Sequence, residues 1–145
     1  KAQCVTFLNG DYYFYRENIK SLSNSYRKDR FEKIEKFYIN RIDYIKRKEL
    51  GEESAYRAAI RFWDTTFGCL FQEIGNRQLD KKKKYRRLQE VCDSHIGRIL
   101  LNGKIIRQFR YSKRVLLFAI KYKQCTLLYI LMKIACLIRK YEKVS

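Results

Sequence analysis

Hydrophobic positions along most of the chain recur at three- and four-residue steps, the spacing of one face of an α-helix. This pattern predicts a first helix over about Tyr26 to Leu50, with Gly51 as the left-handed residue after its end. A second amphipathic stretch runs from Glu52 and Glu53 to Gly75 and contains the aromatic residue Trp63. Acidic residues suit a helix N-terminus, so a second helix is expected there.

Three further stretches of the same period follow. One begins after Asp80 as N-cap and closes at Asn102-Gly103, one has Ser112 as N-cap, and the last runs over Cys125 to Tyr141. We therefore expect four or five helices. Proline is absent from the chain, which also favours long uninterrupted helices.

The first residues have a different pattern. Val5 to Leu8 and Tyr12 to Tyr15 are rich in strand-forming residues and flank Asn9-Gly10-Asp11, which is typical of a β-hairpin turn. The predicted fold is mainly α: a short β-hairpin over residues 1–24, followed by a helical bundle over residues 25–145.

Charged residues are distributed unevenly along the chain. The 145 residues contain 33 Lys or Arg and 15 Asp or Glu, a net charge of +18. Residues 81–145 hold 18 of the basic and only three of the acidic residues. A hydrophobic fraction of 46% excludes a disordered chain. The second half of the chain is therefore expected to favour anionic partners.

Cysteine and histidine give little support to a metal centre or a disulfide framework. The five cysteines are odd in number and widely spaced, with no C-x-x-C pair, so no metal ligands are predicted in this chain. We expect reduced, mostly buried thiols of a cytosolic protein. The single histidine, His95, lies on an apolar stripe and is expected to be a packed or capping side chain. Neither a phosphate-binding glycine loop nor a convincing pair of carboxylates is present.

Basic residues in the second half predict contact with a membrane surface or another polyanion. The candidate residues are Lys81, Lys82, Lys83, Lys84, Arg86, Arg87, Lys113, Arg114, Lys121 and Lys123. The apolar run 126–138 near them is too short to span a bilayer, which needs about 20 residues. It suits either a helix lying in an anionic membrane interface or a core helix, and both apply if one face packs and the other contacts lipid.

The opening stretch, Cys4 to Ser25, resembles a recurrent segment of bacterial family 2 glycosyltransferases. In that family a strand similar to V-x-F-L-x leads to Y-Y-Y-R-x-N/H-x-x-S-I-S, and the corresponding positions here are Tyr13, Tyr15, Arg16, Asn18, Ser21, Leu22 and Ser23. The resemblance covers about the first 25 residues, and the basic helical remainder is similar only in general character. It implies that the chain, which begins at a lysine, is the C-terminal region of a longer enzyme.

The resemblance also implies where the chemistry lies. The family's catalytic domain has a GT-A fold that binds a nucleotide-sugar with a divalent metal, Mg²⁺ or Mn²⁺, and all of it would precede Lys1. Tyr15, Arg16 and Asn18 are the residues here that could touch substrate. Arg16 either meets the donor diphosphate or, with Tyr15, anchors the hairpin to the catalytic domain. Some members have histidine near the metal at the position of Asn18, so asparagine weakens the case for metal ligation.

These observations support one expected function and two alternatives. The expected function is the C-terminal helical part of a cytoplasmic glycosyltransferase of surface polysaccharide or glycolipid synthesis. Its helices would bind the inner face of the plasma membrane, position the acceptor or self-associate. The first alternative is a non-enzymatic basic helical module that binds nucleic acid. The second is a homodimer formed through the 125–141 stripe.

Overall fold

The computed structural model describes residues 29–141, and in this range the chain forms seven α-helices and no strand. The helices are α1 (Arg30–Arg47), α2 (Gly51–Gly75), α3 (Lys81–Asp93), α4 (His95–Ile99), α5 (Gly103–Gln108), α6 (Tyr111–Lys121) and α7 (Cys125–Tyr141). The mainly helical prediction is confirmed, with seven helices instead of four or five. The predicted hairpin over residues 1–24 lies outside the described residues.

The turn between α1 and α2 contains two residues with positive φ, Glu49 and Gly51, and the one directly after the C-cap of α1 is Glu49, not Gly51 as predicted. Glu49 has a φ of 49°. The Glu49 N–H donates to the Lys46 carbonyl and the Leu50 N–H to the Ile45 carbonyl, both at 3.1 Å. These two bonds form a Schellman motif that closes the helix. Gly51, with φ of 77°, is instead the first residue of α2.

The predicted third helix is divided at Ser94 into α3 and α4. Asp80 caps α3 as expected, since its side chain accepts from the Lys83 N–H at 2.7 Å. Ser94 then leaves helical geometry, and its hydroxyl accepts from the Gly97 N–H at 2.9 Å as the N-cap of α4. Asn102 caps the short helix α5, which the sequence pattern did not predict.

The start of α6 also differs from the prediction. The N-cap position is Arg110, and no side chain caps this helix. Ser112 was predicted as the cap but lies inside the first turn and is exposed.

The core is built around α2, which contacts α1, α3, α5 and α7. Its side chains Phe62, Trp63 and Phe67 are almost fully buried and form edge-to-face and tilted ring contacts that extend to Tyr38 of α1 and Phe109 before α6. The Trp63 indole N–H donates to the Leu100 carbonyl at 3.2 Å. Trp63 is therefore a core residue with its polar atom satisfied. The last helix, α7, packs against α2, α3 and α6.

Candidate functional site: a cationic, apolar surface on α3 and α7

The sequence-predicted site residues lie in two separate parts of the chain. Tyr15, Arg16 and Asn18 lie outside the described residues. The ten basic candidates all lie within them, and the structure divides these into exposed and internally bonded side chains.

The basic run at the start of α3 is only partly available to solvent. Lys81, Lys82, Lys83 and Arg86 are exposed. Because the helix repeats every 3.6 residues, these four side chains project away from the α2 contact. They make the exposed face at the start of α3 cationic, although Lys83 lies 3.9 Å from Asp80 and Arg86 lies 3.4 Å from Glu90.

Lys84 and Arg87 of the same run are buried, contrary to the prediction of a contact surface that includes them. The Lys84 ammonium donates to the Ile74 carbonyl at 2.9 Å, in the last turn of α2. The Arg87 guanidinium lies 3.9 Å from the buried Glu73 carboxylate and also pairs with Glu90. Both side chains lie on the inner face of α3, so they connect α3 to α2 and do not face an external anion.

The basic residues of α6 and its C-terminal turn show a similar division. The half-buried Lys113 contacts Asp64 of α2 at 2.6 Å, and Arg114 donates to the Phe109 and Arg107 carbonyls. Lys121 and Lys123 are exposed, and Lys123 forms an ion pair with Asp93. That contact, chiefly through its hydrogen bond, lowers the pKa of the Asp93 carboxyl. Lys121 and Lys123 therefore lie at the surface, while Lys113 and Arg114 stabilise the start of α6.

The last helix has two apolar faces. Leu128, Tyr129 and Met132 on one face are buried in the core. A second row of side chains, each 47–56% exposed, lies on the other side: Leu127, Ile130, Ile134, Leu137 and Ile138. These residues are spaced by three or four positions and form one outer row. One face of α7 therefore belongs to the core, and the other leaves an apolar row at the surface; contact of this row with a membrane stays a prediction.

A lysine near the middle of α7 joins this helix to the cationic end of α3. The Lys133 ammonium lies 5.5 Å from the centre of the Tyr129 ring, and the Lys81 ammonium lies 5.8 Å from the centre of the Tyr85 ring. The two tyrosine rings are 4.8 Å apart. Lys133 was not among the predicted contact residues, although its helical register beside the outer row could have indicated it.

The segment from α4 to α7 contains many basic residues and no acidic ones. From Ser94 to Tyr141 the chain contains no Asp or Glu but eleven Lys or Arg. The ion pairs of Lys113 and Lys123 accordingly use Asp64 and Asp93, both from earlier in the chain. The region α4 to α7 therefore has a strongly positive field.

Acidic residues gather instead in a groove of about 620 Å³ between α1 and the α3–α4 junction. Glu35, Asp43, Glu90 and Asp93 line it, and the Ser94 hydroxyl donates to Glu35 at 2.5 Å. His95 also lines this groove and is exposed, so of the two expected roles, packed or capping, the packed one is wrong. The molecule therefore has an acidic groove as well as its basic surface.

The metal implied by the family resemblance finds no ligand set in this part of the chain. Among residues 29–141, no group of three or more His, Cys, Asp or Glu side chains is arranged to hold a metal ion. Within the same residues, no helix combines the length and the apolar character that crossing a bilayer requires.

The outer row of α7 and the two lysines beside the Tyr85–Tyr129 ring contact form the principal candidate site, which we call the α7 surface: Leu127, Ile130, Ile134, Leu137, Ile138, Lys81 and Lys133. Its side chains are aliphatic or cationic, a combination suited to contact with an apolar, anionic surface. No protein-family model, curated protein or solved structure matches the chain.

Proposed function

We propose that this chain is the C-terminal helical portion of a glycosyltransferase that moves a sugar from a nucleotide-sugar donor during surface polysaccharide or glycolipid synthesis. In this proposal residues 29–141 hold the enzyme at the anionic, cytoplasmic face of the plasma membrane. The resemblance of Cys4 to Ser25 supports the enzyme class. Donor binding and its metal would belong to an upstream catalytic domain in contact with residues 1–24.

The membrane part of the proposal depends on one observation, the exposed outer row of α7. Fully burying a Leu or Ile side chain is worth about 1.5–3 kcal/mol, so completing the burial of five half-exposed side chains would contribute about 4–7 kcal/mol. Exposed basic side chains near an anionic surface contribute about 1 kcal/mol each. Apolar and cationic contributions of this size, on one side of a helix, suit an interface-bound helix.

The first prediction is that the purified chain co-sediments with vesicles that contain phosphatidylglycerol more strongly than with phosphatidylcholine vesicles. Leu127→Ser with Ile130→Ser should weaken this binding at least tenfold, because about 1 kcal/mol is lost per side chain. The matched control is Ile39→Ser with Ile99→Ser, two exposed isoleucines that line the acidic groove. The control variant should bind like the unmodified chain.

Two results would contradict the membrane proposal. Equal partitioning onto both vesicle types would remove its electrostatic part. Undiminished binding of the Leu127→Ser, Ile130→Ser variant would show that α7 does not mediate attachment. Light scattering on the same samples separates attachment from self-association, since a dimer formed through the outer row would dissociate in that variant.

A nucleic-acid-binding module remains the alternative, and the exposed residues Lys81, Lys82, Lys83 and Arg86 on one helix favour it. Binding of this kind falls steeply with salt, because each phosphate contact releases counterions. It would not depend on Leu127 or Ile130. Titrating the same two variants with a duplex oligonucleotide therefore distinguishes the alternatives, since only lipid binding should respond to the serine substitutions.

A further inference from the structure

A groove of about 560 Å³ lies between the start of α6 and the last turns of α7. Its volume is within the range of about 300–1,000 Å³ that small-molecule sites occupy. It opens beside the outer row of α7, because Ile134 and Ile138 belong both to that row and to the groove wall. A molecule bound in the groove would therefore also contact the molecule or surface that covers the outer row.

The groove lining is divided into an apolar part and a polar end. Phe71 of α2 and Val115 and Leu116 of α6 form one wall, and α7 supplies the other with Leu131, Ile134, Ala135 and Ile138. All of the charged and hydroxyl-bearing groups come from the four consecutive residues 110–113. A ligand that fits this arrangement has an apolar chain and a polar head.

The polar end of the groove is positive. Arg110 is exposed at this end, and none of the described lining residues is acidic. Lys113 contributes less, because its ammonium contacts Asp64 at 2.6 Å. The groove near α1 has the opposite charge, with four carboxylates and one lysine, Lys46, in its lining. Charge complementarity therefore selects an anionic head group for the α6–α7 groove.

We propose that the groove between α6 and α7 holds one acyl chain of an anionic membrane lipid, with the head group at Arg110. This inference rests on the proposed membrane function and adds a defined lipid site to it. One lipid drawn partly out of the leaflet would fix the orientation of α7 on the membrane. The outer row would supply general attachment, and the groove would supply selectivity for chain and charge.

The test uses palmitoyl-lysophosphatidylglycerol below its critical micelle concentration, so that a single chain binds without a bilayer. Isothermal titration of the full chain should give saturable one-to-one binding. Ala135→Phe, which fills the groove, should weaken it at least tenfold. Thr126→Phe adds the same aromatic group to an exposed position of α7 outside the groove and should leave the affinity unchanged. Arg110→Gln should reduce the affinity severalfold, whereas affinity for the zwitterionic phosphatidylcholine analogue should not change.

Folding of each variant is checked by Trp63 emission and thermal unfolding. If Ala135→Phe does not fold, Ile138→Gln replaces an exposed wall residue without adding volume and should weaken binding severalfold. Absence of saturable binding, or equal affinity in Ala135→Phe and Thr126→Phe, would overturn the groove proposal. Vesicle binding without lysolipid binding would retain the proposed function and reject the groove. Lysolipid binding without vesicle binding would do the reverse.

Discussion

At the residue scale, the basic side chains of α3 have two different roles that depend on their position around the helix. Arg86 is exposed and pairs with Glu90 across the helix surface, whereas the neighbouring Arg87 is buried beside Glu73. A surface ion pair typically contributes little to stability. A buried charge is different, because removing its partner leaves an uncompensated charge in a low-dielectric environment.

The second prediction follows from this difference. Arg87→Met should lower the free energy of unfolding by about 3 kcal/mol, since it removes a guanidinium that lies 3.9 Å from the buried Glu73 carboxylate. Arg86→Met is the matched control and should change stability by less than about 0.5 kcal/mol. Urea unfolding followed by circular dichroism measures both. A loss of the same size in the two variants would show that the Arg87 contact has no special stabilising role.

The inward position of Lys84 and Arg87 was only partly predictable. Both lie in helical register with Leu88 and Val91, so the periodicity places them on the core face. The sequence does not show which distant groups would satisfy them. The Ile74 carbonyl and the Glu73 carboxylate come from the end of α2, and only the packing of α2 on α3 brings them into reach.

At the element scale, the apolar period predicted the existence of the long helices, and local hydrogen bonding decided their ends. Asp80 caps α3 as predicted. Glu49 and Lys123 take left-handed conformations with φ of 49° and 53°. Glycine is the usual residue in this conformation after a helix, so these two positions could not be recognised from the sequence. The break at Ser94 was missed because Val91, Cys92 and Ile96 continue the apolar stripe across it.

The third prediction tests that break. The Ser94 hydroxyl accepts from the Gly97 N–H and donates to Glu35 of α1, so Ser94→Ala removes a cap and a bond between helices. We expect a loss of about 1–2 kcal/mol in the free energy of unfolding. Ser112→Ala, at the predicted cap that the structure does not use, should cost almost nothing. Equal losses in the two variants would contradict the assignment of Ser94 as the cap.

At the scale of the whole molecule, the sequence predicted the cationic second half but not the arrangement of its surfaces. In the structure some of the basic candidates are exposed and others bond within the protein. A second apolar row of α7 is also exposed. The spacing of Leu127, Ile130, Ile134 and Leu137 is visible in the sequence. Which of the two apolar faces of α7 would pack could not be predicted, because the choice depends on contacts with α2, α3 and α6.

The fourth prediction concerns stability at alkaline pH, which depends on the buried thiols of α2 and α3. Burial, the main cause, raises the pKa of Cys69 to about 11, and burial together with the adjacent Cys125 thiol raises that of Cys92 to about 12, from an ordinary value of 9.0. Above pH 9 the unfolded chain releases protons that the folded chain retains. The contribution of the two protonated thiols to the free energy of unfolding is therefore fully present below pH 9. It is lost as the pH rises toward the thiol pKa values of the folded chain.

This loss can be measured by urea unfolding at pH 8 and pH 10 in the presence of a phosphine reductant. The unmodified chain should lose up to about 1.4 kcal/mol per thiol more than the Cys69→Ala, Cys92→Ala variant between these two conditions. Any cavity left by the substitutions lowers stability equally at both pH values and cancels in the comparison, as do the tyrosines and lysines common to both proteins. Burial in the core between α2, α3 and α7 should prevent the two thiols from ionising at their ordinary pKa. Parallel pH profiles for the two proteins would contradict this, because they would mean that both thiols ionise normally in the folded state.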